Sequence, residues 1–139
     1  MRFMIIVKAT KESEAGVMPE ESRMAEMATY HEELAKAGLL LDASGLQPTS
    51  KAARIKYSGE KHTVIDGPFA ETKELIAGYT IIQAKSRAEA MEWALRFPNP
   101  AGKGKEAEIE IRQLFELEDF EPNAAVERFR EMDADLKRK

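Results

Sequence analysis

The sequence predicts an α+β protein on a split βαβ plan, with an inserted β-hairpin and an appended C-terminal helix. Three observations carry this. Strand-like alternation and helical periodicity follow one another as strand, helix, strands, strand, helix, strand and terminal helix. Stretches such as SGLQP and FPNPAGKGK, rich in glycine and proline, separate the segments. A length of 139 residues and an apolar fraction of 43% suit a single core.

Arg2 to Ala9, RFMIIVKA, is rich in β-branched and aromatic residues and reads as the first strand. Phe3, Ile5 and Val7 share one face and Met4 and Ile6 the other, so both faces are expected to be covered. TKESEAGVMP is a polar loop, and Pro19 suits the first turn of a helix. From Glu20 to Ala37, the residues Met24, Met27, Ala28, His31, Leu34 and Ala35 recur at helical spacing, and Gly38 is placed to end the helix. Leu39 to Leu41 can pair or bury before Gly45, Pro48 and Ser50 break any regular element.

Arg54 to Tyr57 and His62 to Ile65 form a hairpin across a turn containing Gly59. Gly78 to Ala84 supplies the next strand, with Tyr79 and Ile81 on one face and Thr80 and Ile82 on the other. Ser86 caps a second helix, and Glu89 is placed to reach back to the cap residue's N–H. Ala90, Met91, Ala94 and Leu95 are its expected buried side. Ala107 to Leu117 alternates Ile109, Ile111 and Phe115 against Glu108, Glu110 and Arg112. EDFEPN reads as a linker, dividing a domain over 1–120 from a helical extension over 121–139. In that extension Val126, Phe129 and Met132 make a narrow stripe along a helix from Ala124 to Leu136.

Composition removes several function classes. Twenty-one basic and 25 acidic residues leave a net charge of −4, against a general nucleic-acid footprint. There is no cysteine, which excludes disulfides, thiolate nucleophiles and cysteine-based metal sites. Two histidines exclude a three-histidine metal centre within one chain. No G-x-G-x-x-G, Walker or G-x-S-x-G pattern appears, so neither cofactor nor metal is expected. GKGK, Gly102 to Lys105, precedes a strand rather than a helix and reads as a turn. No signal-peptide pattern and no apolar run of membrane-spanning length is present, so a cytoplasmic protein without membrane contact is expected.

Chemistry concentrates around VIDGPFAETKELIAGYTIIQA, Val64 to Ala84. Pro68 disfavours the α region for Gly67, so the chain must turn directly after a strand. Asp66 can accept N–H groups of that turn, and Phe69 can plug the corner from inside. His31 falls on an apolar helical stripe. It is a core-edge ring with one satisfied nitrogen, an acid/base facing a ligand, or an ordinarily exposed side chain. The functional arrangement is a small polar pocket in which Asp42 or Asp66 orients His31 for proton transfer and Asp66, Glu110 and Arg112 bind a ligand, Arg112 holding an anionic group. The structural arrangement makes Glu110 and Arg112 a cross-strand ion pair. Two helices cover one sheet face only; Met4, Ile6 and Ile82 on the other face predict a sheet-to-sheet homodimer.

The intact DGPFAETKE from Asp66 to Glu74, Gly78–Tyr79, AGLLLDASGLQP from Ala37 to Pro48, and Glu110 to Arg112 resemble the YCII-related proteins, in particular their DGPF subgroup. The likeness covers about Arg2 to Phe120. It implies a ferredoxin-like dimer of the dimeric α/β-barrel class, with a pocket between helices and sheet. Some members carry a histidine–aspartate pair proposed to be catalytic, which falls here on His31 and Asp42. The resemblance also implies a link to sigma-factor-like regulators. Gln113 departs from the proline common after the last-strand arginine. Two functions follow as expectations: a non-catalytic small-ligand-binding or regulatory module, or a cofactor-independent isomerase or lyase with His31 as acid/base.

Overall fold

The computed structural model describes residues 1–71 and 73–138; Thr72 of the AETKE run and Lys139 of the C-terminal extension lie outside the described residues. The elements in chain order are β1 (Arg2–Lys8), α1 (Lys11–Glu14), α2 (Glu21–Lys36), β2 (Leu40–Gly45), β3 (Ala53–Ser58), β4 (Lys61–Asp66), β5 (Ile76–Gln83), α3 (Arg87–Leu95), β6 (Ile109–Gln113) and α4 (Ala124–Arg138). Single 3₁₀ turns stand at Thr49–Lys51 and Leu117–Asp119.

Four strands form an antiparallel sheet in the order β2-β5-β1-β6, and β3 and β4 form a separate two-stranded ribbon. The mixed α+β class holds. The α/β barrel does not: β2 and β6 end the main sheet, the ribbon pairs only with itself, and among the described residues no sheet closes on itself. Closure needs each edge strand to find a partner, and neither β2 nor β6 pairs with the ribbon or with the other.

β1 lies centrally and both its faces carry apolar side chains, as its composition requires. Phe3 stands opposite Ile82 and Ile5 opposite Thr80. These residues join Tyr30 and Leu34 of α2 and Ala90 and Ala94 of α3 in the buried core. Ile82 therefore belongs to the helix-covered face, a correction to its assignment beside Met4 and Ile6. Ile81 is the residue opposite Met4, and Ile6 is already buried within the chain.

The buried side of α2 is rotated from the expected stripe. Tyr30 and Leu34 are buried, whereas Met24 is 55% exposed. The Tyr30 ring packs into the core between α2, α3 and the sheet, and its hydroxyl donates to Trp93 O at 2.6 Å. The C-terminus of α2 closes as expected. Gly38, at φ +77°, donates to Ala35 O, and Leu39 N–H donates to Leu34 O, with Leu34 and Leu39 both buried.

At α3, Ser86 Oγ accepts Glu89 N–H, but the Glu89 carboxylate accepts from Lys85 N–H, one residue before the expected donor. Leu95 is 80% exposed rather than buried. β6 stops at Gln113, so Phe115 leaves the strand's alternation and is exposed. The polar loop after β1 contains the short helix α1, capped reciprocally by Thr10 and Ser13. α4 buries Val126 and leaves Phe129 and Met132 exposed.

Candidate functional site

The four-stranded sheet divides the sequence-derived candidates. His31 projects from α2 onto the helix-covered face. Its Nδ1 lies 2.8 Å from Met27 O and its Nε2 2.9 Å from Thr80 Oγ1. A carbonyl oxygen can only accept, so Nδ1 carries the proton and Nε2 accepts from the Thr80 hydroxyl. Thr80 is 2% exposed. Tyr30 and Phe97 meet the imidazole edge-on, with ring centroids 5.5 and 6.2 Å away. In the neutral ring both nitrogens are thus engaged inside the chain, and neither partner is a carboxylate.

Asp42 lies across the sheet from this histidine. Its carboxylate accepts from Ala43 N–H at 2.8 Å and from the Tyr79 hydroxyl at 3.2 Å. Tyr79 and Thr80 are consecutive strand residues and project to opposite faces, so the sheet stands between His31 and Asp42. Glu110 and Arg112 also occupy the face away from the helices, opposite Ile6 and Met4. They lie on β6, three strands from Asp42 on β2. Three inter-strand steps span about 14 Å. Glu110 and Arg112 are paired within one strand rather than across two, and Lys8 joins Glu110 at 3.4 Å. The Arg112 guanidinium, with Lys8 adding to it, holds the Glu110 carboxyl below the usual carboxylate range. Asp66 ends β4 on the ribbon as an exposed residue. The structure brings Glu110 and Arg112 together and leaves His31, Asp42 and Asp66 separate from them and from one another.

The corner after β4 is built by residues that periodicity does not single out. Gly67 N–H donates to Ala52 O at 2.9 Å, and Phe69 N–H donates to Thr49 Oγ1 at 3.0 Å. The Thr49 hydroxyl in turn donates to the Glu14 carboxylate, which also accepts Thr49 N–H at 2.9 Å. Asp66 is therefore not the acceptor that holds this turn. Gly67 is required by close approach: a Cβ there would lie 1.7 Å from Thr49 O. Three connections, after β1, β2 and β4, are tied together through Thr49. Phe69 is half-buried, and the Arg54 guanidinium stacks 3.7 Å above its ring centroid. Beside this corner lies a concavity of about 450 Å³ with Leu46, Phe69, Leu75 and Ile76 among its lining residues. Only Gly–Pro after an apolar strand signalled the corner; Glu14 lies 35 residues before Thr49 and Thr49 lies 20 before Phe69, and no local pattern joins them.

A second concavity, of about 460 Å³, lies between the 3₁₀ turn at Leu117–Asp119 and α4. Among the described residues no group of three or more histidine, aspartate or glutamate side chains could hold a metal ion. No described helix is long and apolar enough to cross a membrane.

Fold and site together define a small mixed α+β protein with a histidine locked into its core face and a tied corner at the base of a β-ribbon. The YCII-related domain model matches residues 1–117, and the chain belongs to that family. It is similar to an uncharacterized protein of Rhizobium meliloti (strain 1021), with 35% identity over 80 residues, 58% of this chain and 64% of the relative. The chain thus matches just under two thirds of that relative's length.

Proposed function

We propose that this protein is a non-catalytic, homodimeric module that binds a small ligand. The observation that carries this reading is the state of His31, whose two nitrogens are taken by Met27 O and the buried Thr80 hydroxyl. A general base needs a nitrogen within hydrogen-bond reach of the substrate proton. The isomerase or lyase alternative requires the imidazole to break from Thr80 and to act without a carboxylate orienting it. The concavity beside the corner supports binding: its walls are set by backbone hydrogen bonds before any ligand arrives.

The homodimer draws its support from the ribbon. Ile55 and Val64 stand directly opposite each other and are 55% and 63% exposed, next to an exposed Tyr57–His62 pair. A two-stranded ribbon is marginally stable in water on its own, and a second copy covering this face would stabilise it. A cytoplasmic setting agrees with the cysteine-free, acidic composition.

An unbiased metabolite-binding screen on the purified protein tests the reading, with the recovered ligand analysed for chemical change. The expected result is a ligand retained unaltered, and retained equally by His31→Ala. Conversion of the ligand by the parent chain, lost in His31→Ala, would establish the enzymatic alternative instead. Light scattering at micromolar concentration is expected to return twice the chain mass; a monomer would refute the dimer.

A further inference from the structure

The concavity beside the corner has apolar and cationic walls. Leu46, Phe69, Leu75 and Ile76 line it together with Lys51 and Arg54, and Glu74 is the carboxylate among its lining residues. Its walls are held independently of any ligand: Leu46 N–H donates to Ala77 O at 2.8 Å, Ala9 N–H to Leu75 O at 2.8 Å, and Phe69 N–H to Thr49 Oγ1.

Arg54 is positioned without being satisfied. A cation–π contact with the Phe69 ring holds its guanidinium in place. Its nearest carboxylate, Glu71, is 3.7 Å away, beyond hydrogen-bond distance, and both side chains are largely exposed. Among the described residues Arg54 donates no hydrogen bond, and Lys51 has no carboxylate within ion-pair distance. An exposed pair of this length contributes little, so an incoming carboxylate displaces Glu71 at small cost. A planar guanidinium held on an aromatic face offers paired N–H groups to a carboxylate.

We propose that this concavity binds a small organic carboxylate with an apolar body. The carboxylate docks on the edge of the Arg54 guanidinium beside Lys51, and the body lies over Phe69, Leu75 and Ile76. About 450 Å³ suits a compact molecule of this kind. The inference rests on the ligand-binding reading above and adds the chemical class and the residues that select it.

The test uses 4-phenylbutyrate as the probe and its neutral amide as control, with the full chain followed by backbone amide NMR. The expected result is saturable shifts at Thr49, Phe69, Leu75 and Ile76, with the carboxylate binding about tenfold tighter than the amide. Arg54→Gln is expected to bring the carboxylate to the amide's affinity. Ile76→Asp, at a position 42% exposed, is expected to abolish binding of both while the spectrum stays folded. No shifts at these amides at millimolar probe would overturn the proposal. So would equal binding of carboxylate and amide, or an unchanged affinity in Arg54→Gln. Equal binding leaves the ligand-binding reading standing with a different ligand class; that reading falls if the metabolite screen is blank or returns a ligand converted in a His31-dependent way.

Discussion

Replacing Thr80 by valine tests whether His31 is a structural residue. The change is close to isosteric, so the packing against Ile5 and α2 is kept and only the hydroxyl is lost. That hydroxyl is the partner of Nε2 at 2.9 Å and lies in the core face, where Thr80 is 2% exposed. A lost net hydrogen bond costs about 1 kcal/mol, and a ring nitrogen left half-buried without a partner adds about 1 kcal/mol more. The expected destabilisation is therefore about 2 kcal/mol, or about 7 °C in Tm for a chain of this size. Urea denaturation followed by Trp93, the single tryptophan, measures it. In a His31→Phe background the same substitution is expected to cost much less, because the orphaned nitrogen is gone; Met27 O keeps its helical partner either way. A Thr80→Val change within about 0.5 kcal/mol of the parent, or equal costs in the two backgrounds, would refute the coupling. It would return His31 to the list of groups available for proton transfer. Imidazole nitrogen shifts give an independent check, since the geometry requires the proton on Nδ1.

Other outcomes follow from the core and the corner. Burial pushes the Tyr30 phenol up to about 12 from 10.0, with Arg96 working weakly in the opposite direction. The unfolded chain releases that proton first, so stability contributed by Tyr30 is complete below pH 10 and is lost as the pH rises towards 12. Tyr30→Phe is expected to flatten this part of the stability–pH profile; an unchanged slope would show that other groups set it. Gly67→Ala places a methyl group 1.7 Å from Thr49 O, a backbone atom that cannot swing aside. A loss of about 3 kcal/mol or more is expected, at or above the upper end for overpacking, and calorimetry returning a loss below about 1 kcal/mol would refute the close approach.

Legibility differed from element to element. Strand β1 and strand β5 were readable because alternation is a local property of consecutive residues, and their faces follow from a period of two. The Gly38 terminator of α2 and the Ser86 cap of α3 were readable because each meets a need of the adjoining few residues. The rotation of α2 towards Tyr30 was not, since which side of a helix is buried depends on what the sheet presents to it. Ile82 was misassigned for the same reason: its face depends on pairing with Phe3, far earlier in the chain.

What the sequence determined by itself was therefore the mixed α+β class, most elements and their ends, and family membership through a dense local signature. What only the tertiary structure decided was convergence. Placing His31 and Asp42 on opposite faces of the sheet depends on the register of β2 against β5, and setting Asp42 three strands from Arg112 depends on strand order. The hairpin of β3 with β4 was legible from its turn, but that this ribbon pairs with neither β2 nor β6, leaving the sheet open, is not expressed by alternation within any strand. The corner of DGPF announced itself as a turn, but the Glu14–Thr49–Phe69 tie and the Arg54 stack arise from loops brought together by folding. Local pattern reports what a segment can be; hydrogen-bond partners distant in the chain report what it does.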